Sequence, residues 1–178
     1  MSRYLIKKGE HYSQNRFLKL FLFKKKVKFL IDFDNSIIQY NDQEYNKSDI
    51  NKIVGLCFWS FGAIWNSIKN VAPIHQYNSI RLGYVVRKGK LDLYAYWYRN
   101  GVRNYEYIDT VDAFGYLEVS FETVGNCVGV SIRGIKTGRN VSVYAYVNTS
   151  PISNMLFPYY GGDETAKQDF LINIDITS

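Results

Sequence analysis

The sequence predicts an all-β fold, an antiparallel jelly-roll β-sandwich with a basic N-terminal extension, and two observations support this prediction. About ten runs of β-branched and aromatic residues follow one another at spacings of roughly 8–12 residues, which is typical of a sandwich or barrel. Turn residues separate the clearest runs, and Asn100-Gly101 between two alternating runs is the strongest short-range signal of a β-hairpin. No long amphipathic helical pattern and no internal repeat interrupts the series, and 178 residues suit a single domain.

The sandwich is predicted to begin with a strand at Lys26. From Val27 to Phe33 every odd-numbered position is apolar, which is the period of a strand with one buried face. We therefore divide the chain into a basic, partly apolar arm over residues 1–25 and a jelly-roll domain over residues 26–178.

The later elements are predicted from turn residues and from β-branched and aromatic content. Residues 35–49 are rich in Asn, Asp and Tyr and indicate a short strand and a loop. Ile53–Ile68 is mostly apolar, and its two glycines, Gly55 and Gly62, together with its aromatic residues favour a strand over a helix. The remaining strands are predicted, in order, at Ile80–Arg87, Leu91–Arg99, Val102–Val111, Tyr116–Thr123, Cys127–Arg133, Arg139–Asn148, Met155–Tyr160 and Phe170–Ile176.

The formal charge of +6 is unevenly placed, because the first 30 residues hold nine basic side chains and one acid, Glu10. Such a segment suits an acidic partner: nucleic acid, a lipid headgroup surface, or an acidic patch on a neighbouring subunit. A solvated, solubilising terminus is the alternative. Apolar residues between the basic ones indicate that the arm packs on something. The candidate partner-binding residues of the arm are Lys7, Lys8, Arg16, Phe17, Lys19, Phe21, Phe23, Lys24 and Lys25.

Tyrosine and arginine side chains are predicted to share one face of the central meander. If Lys88-Gly89 and Asn100-Gly101 form two-residue turns, the register places Arg81, Tyr96 and Tyr105 in one row. Tyrosine offers a flat apolar ring with a polar tip and arginine adds forked donors, which suits a sugar ring, a base or a protein partner. The alternative is that these rings pack beneath a loop or the arm. The candidate ligand or partner face comprises Arg81, Tyr94, Tyr96, Tyr98, Arg103, Tyr105 and Tyr107.

The same register places Asp92 opposite Asp109, and directly opposed like charges destabilise a sheet unless something neutralises them. A cation, a shared proton, a slipped register or lysine screening at a frayed strand end would each relieve the repulsion. This pair is the one candidate for a metal site or for a retaining-glycosidase pair of carboxylates. Cys57, Cys127 and the two histidines form no nucleophile, zinc or redox signature, so we read both cysteines as buried core thiols and expect no catalytic residue and no cofactor.

Three segments, Asn78–Tyr84, Leu93–Gly101 and Leu156–Ala166, carry a family resemblance. They resemble small jelly-roll proteins, concanavalin-like in fold, that occur in gut bacteria and in their tailed phages, and the resemblance spans most of residues 50–176. It departs from the family at Tyr84, where Trp is usual, and at Lys167, where Pro is usual. The resemblance implies a lectin-like sandwich or a part of a virion, and it implies no particular chemistry.

From these patterns we expect a non-enzymatic structural or binding module, foremost a bacteriophage virion accessory protein that docks on neighbouring subunits as an auxiliary capsid or tail-associated jelly roll. A carbohydrate-binding, lectin-like module is the alternative, and a glycoside hydrolase-like enzyme comes third. The expected partners are other protein subunits, then a glycan, then nucleic acid, with no membrane. The N-terminus lacks a signal-peptide pattern and no segment reaches the roughly 18 apolar residues of a membrane span, so we expect a virion location after synthesis in the host cytoplasm.

Overall fold

The fold consists almost entirely of short β-strands. The computed structural model describes residues 1–33, 35–37, 49–69, 73–112, 115–134, 138–162 and 165–177. Within these ranges, 3-10 helices lie at Asn35–Ile37 and Ile74–Gln76, and helix α1 spans Phe61–Ile68. The strands are β1 (Ser2–Ile6), β2 (Leu20–Leu22), β3 (Lys26–Phe33), β4 (Asn51–Phe58), β5 (Asn78–Arg87), β6 (Lys90–Arg99), β7 (Val102–Asp112), β8 (Gly115–Val124), β9 (Cys127–Gly134), β10 (Asn140–Tyr146), β11 (Ile152–Leu156) and β12 (Phe170–Ile176).

These strands form two antiparallel sheets of six strands each. The first sheet has the order β1-β12-β3-β8-β9-β10, and the second has the order β2-β11-β4-β5-β6-β7. One core cluster contains buried side chains from both sheets, among them Phe29 and Leu82, so the sheets pack face to face. The all-β jelly-roll sandwich that the sequence predicts is therefore confirmed.

Alternation along the strands decides which side chains enter this core. In β3 the odd-numbered side chains from Val27 to Phe33 are buried, as their period predicts. Phe29 meets Phe121 of β8 edge to face, with ring centroids 6.0 Å apart. In the second sheet Leu82 and Leu93 are fully buried between the sheets. The alternate side chains of β5, β6 and β7 consequently lie on the outer face of the second sheet.

The prediction that the first strand begins at Lys26 is wrong, because residues 1–25 supply an edge strand to each sheet. β1 pairs with β12, and Tyr4 and Ile6 of β1 are buried. β2 pairs with β11, and Phe21 of β2 packs against the core. These strands are too short to show an alternating pattern, and the basic residues around them hide the few apolar positions that mark them.

The predicted strand over Ile53–Ile68 is correct only in its first half. β4 ends at Phe58, and α1 begins after Ser60, whose side-chain oxygen accepts a hydrogen bond from the Ala63 backbone N–H at 3.2 Å. Gly62 lies against Tyr77, where a Cβ atom would stand 3.0 Å from the ring hydroxyl. No helix of the described residues is long and apolar enough to cross a membrane.

The predictions for residues 35–49 and for the two cysteines are confirmed only in part. Asn35–Ile37 is a 3-10 turn, and residues 38–48 of the predicted strand and loop lie outside the described residues. Cys57 is a buried free thiol, as expected, whereas Cys127 is only half-buried because it opens β9 next to the Gly125 turn.

Candidate binding cleft

An open cavity of about 530 Å³ lies on the outer face of the second sheet. Its floor comes from β5, β6 and β7, and its walls come from four other places in the chain. These are the 3-10 turn at Ile74–Gln76, the start of β4, the segment around Tyr12 and the loop after β11. The lining residues are Tyr12, Asp49, Ile50, Lys52, His75, Gln76, Arg81, Tyr96, Tyr98, Arg103, Tyr105, Tyr159, Gly161 and Gly162.

Two tight turns fix the register of the floor. Lys88 and Gly89 both have positive φ, 50° and 71°, and Asn100 and Gly101 have 50° and 83°. Positive φ at both central residues is the geometry of a type I′ turn, whose twist matches that of the flanking strands. The predicted row of Arg81, Tyr96 and Tyr105 is therefore confirmed.

The structure divides the predicted tyrosine face into two parts. Arg81, Tyr96, Tyr98, Arg103 and Tyr105 line the cleft, and Tyr98 lies opposite Arg103 as predicted. The other two predicted residues are paired as expected but are not among the lining residues, because they lie one row further along the sheet: Tyr94 and Tyr107.

Tyr94 and Tyr107 instead support the edge of the floor. The Tyr94 ring meets the Tyr105 ring edge to face at a centroid distance of 6.3 Å and the Tyr107 ring at 5.8 Å. The hydroxyl groups of Tyr107 and Thr110 are hydrogen-bonded at 2.8 Å. Tyr107 is 48% exposed and therefore offers a tyrosine outside the cleft on the same strand face as Tyr105.

The Lys52 side chain contacts two ring faces and a backbone carbonyl in the cleft. Its Nζ lies 4.8 Å from the Tyr96 ring centroid and 5.3 Å from that of Tyr159, and it donates a hydrogen bond to the Gly161 carbonyl at 3.1 Å. Burial, and then the positive charge of Arg81, lower the pKa of Lys52 to about 8. The ammonium group is thus cationic at neutral pH and is held in one place.

Among the described residues of the cleft, positive charge exceeds negative charge. Lys52, Arg81 and Arg103 line it, and Asp49 is the one carboxylate among the described lining residues. Burial lowers the pKa of Arg81, but a guanidinium stays protonated at physiological pH because its ordinary pKa lies above 12. Within the described residues no ion pair involves any of these three cations. Asp49 accepts a hydrogen bond from the Gly162 backbone N–H at 3.0 Å.

Two further groups of the cleft, His75 of the wall and Tyr96 of the floor, are neutral. Burial, with a further contribution from Arg81, lowers the pKa of His75 to about 4, so its imidazole is uncharged at neutral pH. Burial also raises the pKa of Tyr96, as does its 3.2 Å hydrogen bond to the Tyr98 hydroxyl. The cleft therefore combines fixed cations with neutral donors, acceptors and ring faces.

The walls are held by contacts between distant parts of the sequence. The backbones of Lys52 and Tyr159 exchange two hydrogen bonds of 2.9 Å. The Gly161 N–H donates to the Asn51 side-chain oxygen at 2.6 Å. The Tyr12 ring meets the Tyr159 ring edge to face at 5.0 Å. This network fixes the loop after β11 and the N-terminal segment beside the cations of the floor.

Sequence reasoning missed Lys52, Tyr12, His75 and Tyr159 as cleft residues. Each comes from a different segment, and none stands in a local pattern that indicates a site. Tyr159 lies within Leu156–Ala166, a segment that carries the family resemblance and implies no chemistry, and Tyr12 lies within the predicted arm. A lysine on a mostly apolar strand was the one available signal for Lys52.

The predicted opposition of Asp92 and Asp109 is wrong. A β-bulge between Leu93 and Tyr94 shifts the register, so that Asp92 lies opposite Thr110. Thr110 donates a hydrogen bond to Asp92 at 2.6 Å, and Arg87 lies 3.3 Å from the other carboxylate oxygen.

Asp109 is also neutralised, but by a different partner. Arg139 Nε lies 3.3 Å from the Asp109 carboxylate. No group of three or more potential metal ligands occurs among the described residues. Of the explanations considered for the two carboxylates, the slipped register is therefore the one that the structure contains. Because each carboxylate has its own arginine partner, we base neither a metal site nor a glycosidase site on this pair.

The predicted arm residues do not gather at one site. The Lys8 backbone N–H donates to Asp169 at 2.8 Å, and the Arg16 guanidinium lies 4.5 Å from the Tyr12 ring centroid. Phe21 packs against the core. The other predicted arm side chains are exposed: Lys7, Lys8, Arg16, Phe17, Lys19, Phe23, Lys24 and Lys25.

The fold has relatives among solved structures, at low sequence identity. A functionally unknown protein from Saccharomyces cerevisiae aligns with a TM-score of 0.52 and 9% identity, over 97% of this chain and 81% of that chain. The GH43 BlXynB protein from Bacillus licheniformis aligns with a TM-score of 0.50 and 9% identity over 98% of this chain, which spans only 31% of that chain. Winged bean acidic lectin aligns with a TM-score of 0.43 and 6% identity, over 100% of this chain and 78% of the lectin.

No family model and no curated protein sequence matches the chain. At identities this low the first two similarities show the fold alone. The jelly-roll sandwich that the sequence resemblance implies is thus present, whereas its lectin-like character and the link to gut bacteria and tailed phages stay predictions.

Gly55 is predicted to be required for the cleft floor. A Cβ atom at this position would collide with the backbone carbonyl oxygen of Ile80 and stand 2.8 Å from Cγ of Arg81. We expect Gly55→Ala to lower the free energy of unfolding by about 1–3 kcal/mol, measured by urea denaturation. In the control Gly129→Ala, the nearest atom is 3.2 Å away on the exposed Tyr144 ring, which is able to move, so a smaller loss is expected. Equal losses in the two variants would contradict this role.

Proposed function

We propose that the chain is a carbohydrate-binding module that takes an acidic saccharide, one bearing carboxylate or sulfate groups, in the cleft. The observation that carries this proposal is the joint presence, among the described lining residues of one cavity, of three cations, five tyrosines and a single carboxylate. A cavity of about 530 Å³ lies within the usual 300–1,000 Å³ of small-ligand sites.

The tyrosines favour a sugar over a compact inorganic anion. A tyrosine ring presents a flat apolar surface to the C–H face of a pyranose, and its hydroxyl exchanges hydrogen bonds with sugar hydroxyls. Tyr105 is 59% exposed at the mouth of the cleft and Tyr96 is buried at its floor, so rings are available at two depths. A saccharide is the ligand class that uses both the ring faces and the neutral polar groups.

The cations favour an acidic saccharide over a neutral one. Burial of a cation is unfavourable unless an anion or hydrogen-bond partners compensate it. Burial lowers the pKa of both Lys52 and Arg81, and at Lys52 the charge of Asp49 offsets only part of this shift. A carboxylate or sulfate group between them would supply the missing charge, and the arginine fork matches two oxygens of such a group.

The small number of carboxylates among the described lining residues favours a binding role over catalysis. Glycoside hydrolysis ordinarily uses two carboxylates on either side of the scissile bond. Asp49 is the one carboxylate among the described lining residues, and it accepts a hydrogen bond from the Gly162 backbone. We therefore place the lectin-like hypothesis above the glycosidase hypothesis.

The virion accessory hypothesis drew on the family resemblance and on a basic arm that docks on neighbouring subunits. β1 and β2 attach that segment to the chain's own two sheets, and Tyr12 contributes to the cleft wall. The segment is therefore attached to the chain's own fold, and no contact of the described residues favours a virion role over saccharide binding.

The proposal predicts binding to acidic glycans on an array that also carries neutral glycans, followed by titration calorimetry with the best ligand. We expect Tyr105→Ala to weaken the affinity by roughly 3–10-fold through lost ring contact. Tyr107→Ala is the matched control, because this tyrosine lies on the same strand face but outside the cleft. Binding only to neutral glycans, or equal losses in both variants, would contradict the proposal.

The affinity is also predicted to fall as the pH rises from 7 to 9. Because the pKa of Lys52 is lowered to about 8, its ammonium charge is present below this pH and is lost as the pH rises through it. If binding requires the protonated form, the affinity falls roughly tenfold over this range, as titration calorimetry at each pH measures. Lys52→Gln should bind more weakly at pH 7 and lose the pH dependence; a dependence that persists in this variant would refute the assignment to Lys52.

A further inference from the structure

Exposed apolar side chains gather at one end of the second sheet, away from the core. β2 and β4 are both antiparallel to β11, which lies between them, so they run parallel and their C-terminal ends are at the same end of the sheet. Two strand spacings separate these ends, roughly 10 Å. The Phe23 N–H donates to the Pro151 carbonyl at 2.8 Å and the Trp59 N–H to the Ile152 carbonyl at 3.0 Å, which places the two exits side by side.

The side chains at this end face solvent. Phe23 is 80% exposed, Phe61 83% and Ile68 69%. Trp65 is half-exposed and stacks on Phe61 at a centroid distance of 6.1 Å. Ala63 is the one buried residue of α1, so this helix turns most of its apolar side chains outward, the reverse of a helix that packs on a core. We name Phe23, Phe61, Trp65 and Ile68 the apolar end.

The backbone at Phe23 is strained. Its φ is +56°, a conformation that bulky residues rarely adopt and that glycine adopts freely. Strain of this kind persists only where the surrounding structure enforces it, and it clusters at active sites and ligand-binding sites. A phenylalanine that is both strained and exposed contributes nothing evident to folding, which points to a role outside the core.

Basic residues accompany the apolar end. Lys24 and Lys25 follow Phe23, and Lys69 follows α1 with its Nζ 4.8 Å from the Trp65 ring centroid. Residues 11–31 and 59–69 contain no Asp or Glu. Within the described residues none of these three lysines has a carboxylate partner. Charge complementarity therefore requires an anionic occupant, whereas a second copy of the chain would bring like charges together.

We propose that the apolar end docks on the surface of an anionic lipid bilayer, with Phe23, Phe61 and Trp65 among the headgroups and the three lysines at the phosphates. Protein interfaces are depleted in lysine, whereas lysine beside Trp and Phe is typical of surfaces that lie in the membrane interface. Docking of this kind needs no spanning segment. This proposal differs from our expectation from the sequence, which was that the protein has no membrane partner.

The test uses the full chain and vesicles of phosphatidylcholine alone or in equal mixture with phosphatidylglycerol. Co-sedimentation is expected with the anionic vesicles only, and it should decline as salt screens the lysines. Replacing Lys24 and Lys25 together by Gln should weaken binding roughly 25-fold, about fivefold for each lysine. Absence of binding to anionic vesicles, or equal binding to both kinds, would overturn the proposal.

Phe23→Gly separates docking from folding. This variant should bind anionic vesicles more weakly while its melting temperature stays equal or rises, because glycine relieves the left-handed strain. Tyr144→Ser, at an aromatic residue of the first sheet that is 60% exposed, is the control and should bind like the original chain. Unchanged binding by Phe23→Gly would refute the proposal.

Two further outcomes would assign the surface differently. Loss of vesicle binding in Tyr105→Ala would place a lipid headgroup in the cleft instead. Light scattering that shows a dimer, which Phe61→Ser converts to a monomer, would assign the apolar end to a second copy of this chain. Either result overturns bilayer docking, and neither depends on whether the cleft binds a saccharide.

Discussion

The cleft depends on the register of one meander, and two turns set that register. Lys88-Gly89 and Asn100-Gly101 adopt positive φ at both central residues, which aligns β5, β6 and β7 without an offset beside the cleft. A slip of one residue would turn Arg81, Tyr96 and Tyr105 into the core and bring Leu82 and Leu93 to the surface. The burial of those leucines therefore holds the polar row in place, and the chemistry of the outer face follows from the packing of the inner face.

The walls add a further positive charge, that of Lys52, to the outer face of the second sheet. Lys52 lies on β4 opposite Gly83 of β5, and Gly55 of β4 lies opposite Arg81. Two cations on neighbouring strands, partly removed from water, repel one another, and each has its pKa lowered by burial. Cation–π attraction to the ring faces of Tyr96 and Tyr159 offsets part of this repulsion at Lys52. The free protein thus holds an electrostatic cost that an anionic ligand would remove.

Local chemistry in the sequence predicts the sheet pairings but not the assembled cleft. The Asn-Gly and Lys-Gly turns predict the rows of Arg81, Tyr96 and Tyr105, because turn type and register are coupled over a few residues. The bulge beside Leu93 has no such signal and displaces Asp92 from Asp109. Lys52, Tyr12 and Tyr159 meet only through pairing between distant segments. β1 and β2 are stabilised by pairing with the edge of each sheet. Their own residues therefore carry no sequence pattern that predicts a strand.

The pKa of Lys52 is the quantity that tests the proposed cleft most directly. Nuclear magnetic resonance of the lysine side chain measures it with and without a bound acidic oligosaccharide such as oligogalacturonate. We expect a pKa of about 8 in the free protein, lowered from 10.5 by burial and by Arg81, and a rise in this pKa when the carboxylates of the ligand occupy the cleft. An ordinary lysine pKa in the free protein, or a value that does not change while the oligosaccharide is bound, would contradict this proposal.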